Sequence, residues 1–301
     1  MTRSAERWIV LCAACLLIGC LGPVPLSHES LYPSEFIKAR DLHDRLIESG
    51  RVEEARSQAR QLLVDERSAV NLTLAARMEE DVGDSIALLD EAIDVDPEFA
   101  WARYGLAFTV LKGECLERYE ESVEHLTWLL AREFTQERNP DLRTRLLLIE
   151  NLSRLGRSEA QAEAMAKYLE YSPNDLTTRY GLAYLLCIKL KKFDEAMRQV
   201  DFVLKSNRDA LDAAMLRGRI LWDSGEFNGA VDHYETLIDR HPDALLNLGF
   251  LWERHLEHPA KAIDYYERYL AYDGPNADQK RWYDRTFTVP NRIEILRGED
   301  R

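Results

Sequence analysis

Arg103-Tyr104-Gly105-Leu106-Ala107 recurs unchanged as Arg179-Tyr180-Gly181-Leu182-Ala183, and each copy is followed by an aromatic, Phe108 or Tyr184, and further apolar residues. A second piece also recurs, a turn with the opening of the following helix. It reads Gly50-Arg51-Val52-Glu53-Glu54-Ala55, then Lys192-Phe193-Asp194-Glu195-Ala196, then Gly225-Glu226-Phe227-Asn228-Gly229-Ala230, with Pro259-Ala260-Lys261-Ala262-Ile263 as a weaker fourth copy. Around these pieces apolar residues return at helical spacing, broken by short polar turns carrying Gly, Pro or Asp, and strand patterns are almost absent. The chain reads as all-α and repetitive.

The small residue opening each second helix falls at Ala55, Ser85, Ser122, Gln161, Ala196, Ala230 and Ala262, at intervals of 30, 37, 39, 35, 34 and 32 residues. Four positions later stand Ala59, Leu89, Leu126, Met165, Val200, Tyr234 and Tyr266. A small residue at a helix crossing lets two backbones approach, and the larger one a turn later fills the gap against the next helix. This pattern resembles the tetratricopeptide repeat, a helix–turn–helix unit of about 34 residues. Its Leu-Gly slot in the first helix is matched by Leu248-Gly249, Leu106-Ala107 and Leu182-Ala183, and Pro97, Pro173 and Pro242 close three units. The resemblance implies an α-solenoid of about seven repeats over residues 34–275. The last three units match best. The first two lack the Leu-Gly pair, the third has extra residues around Gly113 to Leu116, and the fourth carries Gln161 in the small slot. Residues 276–301 read as cap and tail: a polar helix from Asn276 to about Arg285, then a tail crossing Pro290.

At the N-terminus, Arg3 and Arg7 precede an apolar run, Trp8 to Ile18, that ends in Leu17-Ile18-Gly19-Cys20. A positive start, a short apolar core and a small residue before the cut make a secretory signal peptide, and the run is too short to span a bilayer. Leu-Ile-Gly-Cys resembles the lipobox of bacterial lipoproteins. That resemblance implies a signal peptide at 1–19, lipid on Cys20 and a Pro-containing tether over 20–33. Leu21, where an aspartate would favour retention at the inner membrane, implies the periplasmic face of the outer membrane. More than one acyl chain anchors stably, since each buried methylene adds about 0.8 kcal/mol.

The chain carries a net charge of −14, and the mature form would sit near −15, because the leader holds Arg3, Arg7 and Glu6. This balance opposes a nucleic-acid partner and direct adsorption to anionic headgroups. Beyond the leader and Cys20 only Cys115 and Cys187 remain, too few for a disulfide framework. In a solenoid the two thiols, two units apart, should stay free.

No phosphate loop, nucleophile elbow or His-Glu-x-x-His motif is present, and neither a cofactor nor a metal is expected. The nearest approach to a metal cluster is His255-Leu256-Glu257-His258, with His233 and His241 nearby; it falls in a turn, where the rings should face solvent. In tetratricopeptide repeats the first helix of each unit lines the concave surface. That places Trp101, Tyr104 and Phe108 on it in the third unit, and Tyr180, Tyr184 and Cys187 in the fifth. The sixth unit adds Met215, Arg219 and Trp222, and the seventh Phe250. Aromatic and Arg side chains dominate interface hot spots, so Tyr104, Phe108, Tyr180, Tyr184, Arg219 and Trp222 are the candidate partner-binding residues. For Tyr104 and Tyr180, packing against a neighbouring unit accounts for the position equally well. Arg40 could serve a clamp for a C-terminal carboxylate, but Asp44, in the position such a clamp gives to Asn, should repel one. The expected role is a non-enzymatic scaffold or assembly factor holding another envelope protein or peptide; the alternative is an accessory subunit presenting substrate to an envelope synthase.

Overall fold

The computed structural model describes residues 34–136, 142–280 and 284–298. The leader 1–19, the acceptor Cys20 and the tether 20–33 lie outside them. The described residues form fifteen α-helices and no strand. None of these helices is long and apolar enough to cross a membrane.

Two compact units divide the chain, Met1–Pro173 and Asn174–Arg301. Unit 1 holds four helical hairpins: α1 (Ser34–Glu48) with α2 (Val52–Asp65), α3 (Ala69–Ala76) with α4 (Val82–Val95), α5 (Ala100–Lys112) with α6 (Tyr119–Gln136), and α7 (Leu142–Arg154) with α8 (Ser158–Tyr171). Unit 2 holds three, α9 (Leu176–Ile188) with α10 (Phe193–Ser206), α11 (Leu211–Asp223) with α12 (Phe227–Glu235), and α13 (Pro242–Arg254) with α14 (Pro259–Ala271), and ends in α15 (Val289–Arg297). The hairpins number seven, one for each small slot in the sequence.

Local chemistry explains where the helices start and turn. Ser68, Asp81 and Asp175 accept backbone N–H bonds from the first turns of α3, α4 and α9, and His241 does the same for α13 through Nδ1 with Pro242 at the first position. Six of the seven hairpin turns contain one left-handed residue, the α3–α4 turn being the exception. Gly50 (φ 76°) and Gly225 (φ 89°) supply it without strain, whereas Glu114 (φ 52°), Lys191 (φ 56°) and Glu257 (φ 49°) adopt it with a Cβ. The extra residues after Gly113 form a short 3-10 turn, Leu116–Arg118, before α6.

The small slots sit where helices cross. Ala55, Ala196, Ala230 and Ala262 are fully buried. Ser85 and Ser122 occupy the same slot because each hydroxyl returns to a carbonyl of the facing helix, Ser85 Oγ donating to Ala76 O at 2.9 Å and Ser122 Oγ to Ala107 O at 3.5 Å. Gln161 is buried as well. A feature missed in the sequence is Gly218. A Cβ there would stand 2.5 Å from Tyr234 Cε1, so Gly218 serves the sixth hairpin as the Leu-Gly glycine serves the seventh.

The C-terminal expectation is corrected. Ala277–Gln279 is a short 3-10 turn, and the α-helix forms instead over Val289–Arg297, in the stretch read as tail. The described residues Asn276 to Lys280 offer little apolar surface to bury, and residues 281–283 of the expected helix lie outside the described ones. Val289, Ile293 and Leu296 recur at one-face spacing and join the core around Tyr266 and Tyr269. Pro290 falls in the first turn, where a missing N–H forfeits no helix bond.

Candidate protein-binding faces

In unit 2, α9 carries Tyr180, Tyr184 and Cys187 a turn apart, and α11 lies beside them. Burial raises the Tyr180 phenol, and Asp212 of α11 adds to the effect. The Cys187 thiol is pushed up to about 11 by burial and by Asp223, while Arg219 and Lys191 pull it down. Arg219 Nε donates to Asp223 Oδ1 at 2.8 Å, and Lys191 Nζ stands 3.7 Å from Asp223 Oδ2. Tyr180, Tyr184 and Arg219 thus lie on adjoining helices, Arg219 exposed and both tyrosines half-buried.

Trp222 is directed elsewhere. Its Nε1 donates to His255 Nε2 at 3.1 Å, and the His255 ring stacks on Phe227 with centroids 4.2 Å apart. The indole therefore ties α11 to the turn of the next hairpin, with the Arg219 guanidinium 5.7 Å from its ring centroid. Phe250 on α13 lies edge-on to Tyr266, and Arg292 of α15 sits 5.1 Å over its ring.

In unit 1, Tyr104 meets Trp101 edge-to-face at 6.0 Å, and Phe108, one turn on, is 37% exposed. Arg40 lies 4.9 Å over Trp101. The repulsion expected from Asp44 is weakened, because its Oδ1 accepts from Arg77 Nη2 at 2.7 Å and its Oδ2 stands 3.9 Å from Arg40 Nε. Tyr104 and Phe108 belong to unit 1 and the other four candidates to unit 2, where Tyr180, Tyr184 and Arg219 share the α9–α11 side and Trp222 is set apart by its bond to His255.

The histidines expected to face solvent are engaged. His255 is exposed yet holds Trp222 and Phe227. His258 Nδ1 and His241 Nδ1 accept helix-start N–H bonds at 3.4 and 3.1 Å, and His233 Nε2 bonds Ala214 O at 2.8 Å. Among the described residues no three His, Cys, Asp or Glu are placed to share a metal ion. Both Cys115 and Cys187 are free thiols.

The tetratricopeptide repeat family matches residues 188–244 and 216–278. Residues 188–278 carry tetratricopeptide repeats. The chain is 27% identical over 168 residues to the DnaJ protein P58IPK homolog B of Oryza sativa subsp. japonica, an alignment covering 53% of this chain and 35% of that protein. It thus spans about a third (35%) of the length of such a curated relative. The structure of Naa15/Naa10 bound to HypK-THB is similar with a TM-score of 0.52 at 15% identity, over 97% of this chain and 45% of that one. A tetratricopeptide repeat protein from Parabacteroides merdae ATCC 43184 aligns with a TM-score of 0.46 at 10% identity, covering 88% of this chain and 99% of that one. At such identities a structural likeness concerns the fold alone.

The matched span takes in the hairpins in which Gly218 faces Tyr234 and Gly249 faces Tyr266. Phe227 and His255, which fix Trp222, carry no signal in the sequence beyond their places beside turns; only the folded hairpins bring them together.

Proposed function

We propose that the protein is a non-enzymatic scaffold of the bacterial envelope, anchored through lipid on Cys20 at the periplasmic side of the outer membrane, that holds another protein or peptide on the faces of its first helices. What carries the reading is the α9–α11 face of unit 2. Tyr180, Tyr184 and Arg219 stand together there with part of their surface open to solvent, on helices whose opposite sides fill the core. Aromatic rings and a guanidinium on a rigid helical frame offer large contact area at low conformational cost. Anchoring is supported by Leu17-Ile18-Gly19-Cys20 behind its apolar run.

Two experiments test the two halves. Cys20→Ser should abolish lipidation and leave an uncut precursor; processing and migration like the wild type would remove the anchor from the proposal. Crosslinking in intact cells and purification from membranes should recover an envelope protein. Against that partner, Tyr184→Ala and Arg219→Ala should each weaken binding by at least about tenfold, the scale of a hot-spot side chain, with the helical circular dichroism unchanged. Folded variants that bind normally would exclude this face.

A further inference from the structure

The two identical pentapeptides build the same joint with one chemical difference. In unit 2 the Arg179 guanidinium lies 3.8 Å over the Phe202 ring, and its Nη1 donates to Gln199 Oε1 at 2.7 Å. In unit 1 the Arg103 guanidinium lies 4.3 Å over Trp128, and its Nη1 meets His125 Nδ1 at 2.8 Å. The acceptor stands three residues before the aromatic in both hairpins, so His125 and Gln199 hold equivalent places. Arg103 also donates Nε and Nη2 to Pro97 O, at 2.9 and 2.7 Å, which fixes the start of α5.

An arginine only donates, so His125 Nδ1 must accept, and the ring is neutral with its proton on Nε2. A second proton would turn Nδ1 into a donor facing a donor, and set two positive charges 2.8 Å apart. The glutamine in the other joint has no such second state.

We propose that the α5–α6 hairpin contains a proton-operated joint, in which neutral His125 holds Arg103 and protonated His125 releases it, loosening this hairpin while the Arg179–Gln199 joint stays closed. The surroundings agree with a ring kept neutral at pH 7. From α5 the facing charge is Arg103. From the 3-10 turn it is Arg118, which is bound to Asp90 of α4 at 2.7 Å and to Glu121. Glu121 of α6 itself is the opposing influence, 3.6 Å from Nε2. On α7, Glu150 and Arg154 pair with one another at 3.1 Å, and Arg145 lies over Tyr171. Burial first, then Arg103, lowers the His125 pKa against the pull of Glu121. This inference is independent of what the faces bind.

The test is hydrogen exchange of the full chain, corrected for intrinsic rates, between about pH 7.5 and about pH 5, where an unperturbed histidine titrates. In the wild type, protection of α5 and α6 amides should fall several-fold on acidification, and more than that of α9 and α10. His125→Gln should remove the difference, since it copies the joint the chain already uses at Gln199. Gln199→His should create the same acid loss in α9 and α10. Equal acid sensitivity of His125→Gln and wild type in α5–α6 overturns the proposal. Should His125→Gln fail to fold, the proposal stands or falls on Gln199→His, and pH-independent protection of α9–α10 in that variant rejects it.

Discussion

A Cβ on Gly249 would stand 2.3 Å from Cε1 of Tyr266, so the α13 backbone and the α14 ring leave no space for a side chain between them. The ring is held there. Tyr266 is fully buried, and its hydroxyl donates to Glu253 Oε2 at 2.5 Å. Gly249→Ala should therefore destabilise the protein by ~1–3 kcal/mol through overpacking, more than the ~1 kcal/mol that alanine gains over glycine as a helix former. At Gly105 the balance differs. A Cβ there meets the terminal Cδ2 of Leu89 at 2.9 Å, a methyl group that is able to rotate away. Gly105→Ala should be neutral or mildly stabilising. Urea midpoints for both variants check the contrast, and equal losses at the two sites would refute it.

The C-terminal helix should depend on one ion pair. Arg292 donates Nε and Nη2 to Glu253 at 2.7 and 2.5 Å, and both side chains are mostly buried. Arg292→Ala leaves the Glu253 carboxylate with Tyr266 as its remaining donor, at a cost of about 3 kcal/mol. Because Val289 and Ile293 share the core of the last hairpin, α15 should lose protection first, followed by α13 and α14. Unchanged exchange in α15 would show that its apolar face alone suffices.

Much of this fold is legible in the sequence because small residues at helix crossings leave a periodic trace, and seven slots correspond to seven hairpins. Two kinds of feature escape that reading. The sequence pattern places the C-terminal helix on the polar stretch from Asn276 and the tail across Pro290, whereas docking of Val289 and Ile293 decides where the α-helix forms. The pairing of Trp222 with His255 is set by which turn lies beside α11, a property of stacking that no local pattern encodes. Register puts Tyr180, Tyr184, Arg219 and Trp222 on first helices, since a helical repeat converts sequence spacing into direction, but it does not reveal that the Trp222 indole turns to His255.

The thiols should differ sharply in reactivity. Cys115 is partly exposed beside the Gly113 turn, whereas Cys187 is fully buried with its thiol pushed up to about 11. Thiolate is the reacting species, so iodoacetamide in native buffer should label Cys115 well before Cys187, and denaturant should equalise them. Prompt native labelling of Cys187 would mean that the α9–α11 face opens more than its packing implies.

Acid should weaken the fold through its buried histidines. His43 is lowered by burial and by Arg77 against Asp44, and His233 by burial and Arg217 against its bond to Ala214 O. His125 shifts in the same direction. A histidine pKa lower in the folded than in the unfolded state means that the unfolded chain binds more protons between the two values, so stability rises with pH there. The histidine contribution is therefore fully present above the unfolded pKa of about 6.5 and is lost as pH falls from it through the lowered folded values. Glu150 opposes the trend, since burial raises its pKa and protonation relieves the penalty, but only at the lower end of the range. Urea midpoints should fall from about pH 7.5 to about pH 5. Replacing His43 and His233 by Gln or Asn, in variants that remain folded at neutral pH, should flatten the profile. A midpoint that holds or rises through this range would mean these histidines are protonated in the folded state, which contradicts the acceptor role of His233 Nδ1 toward Arg217 Nη1 at 3.3 Å.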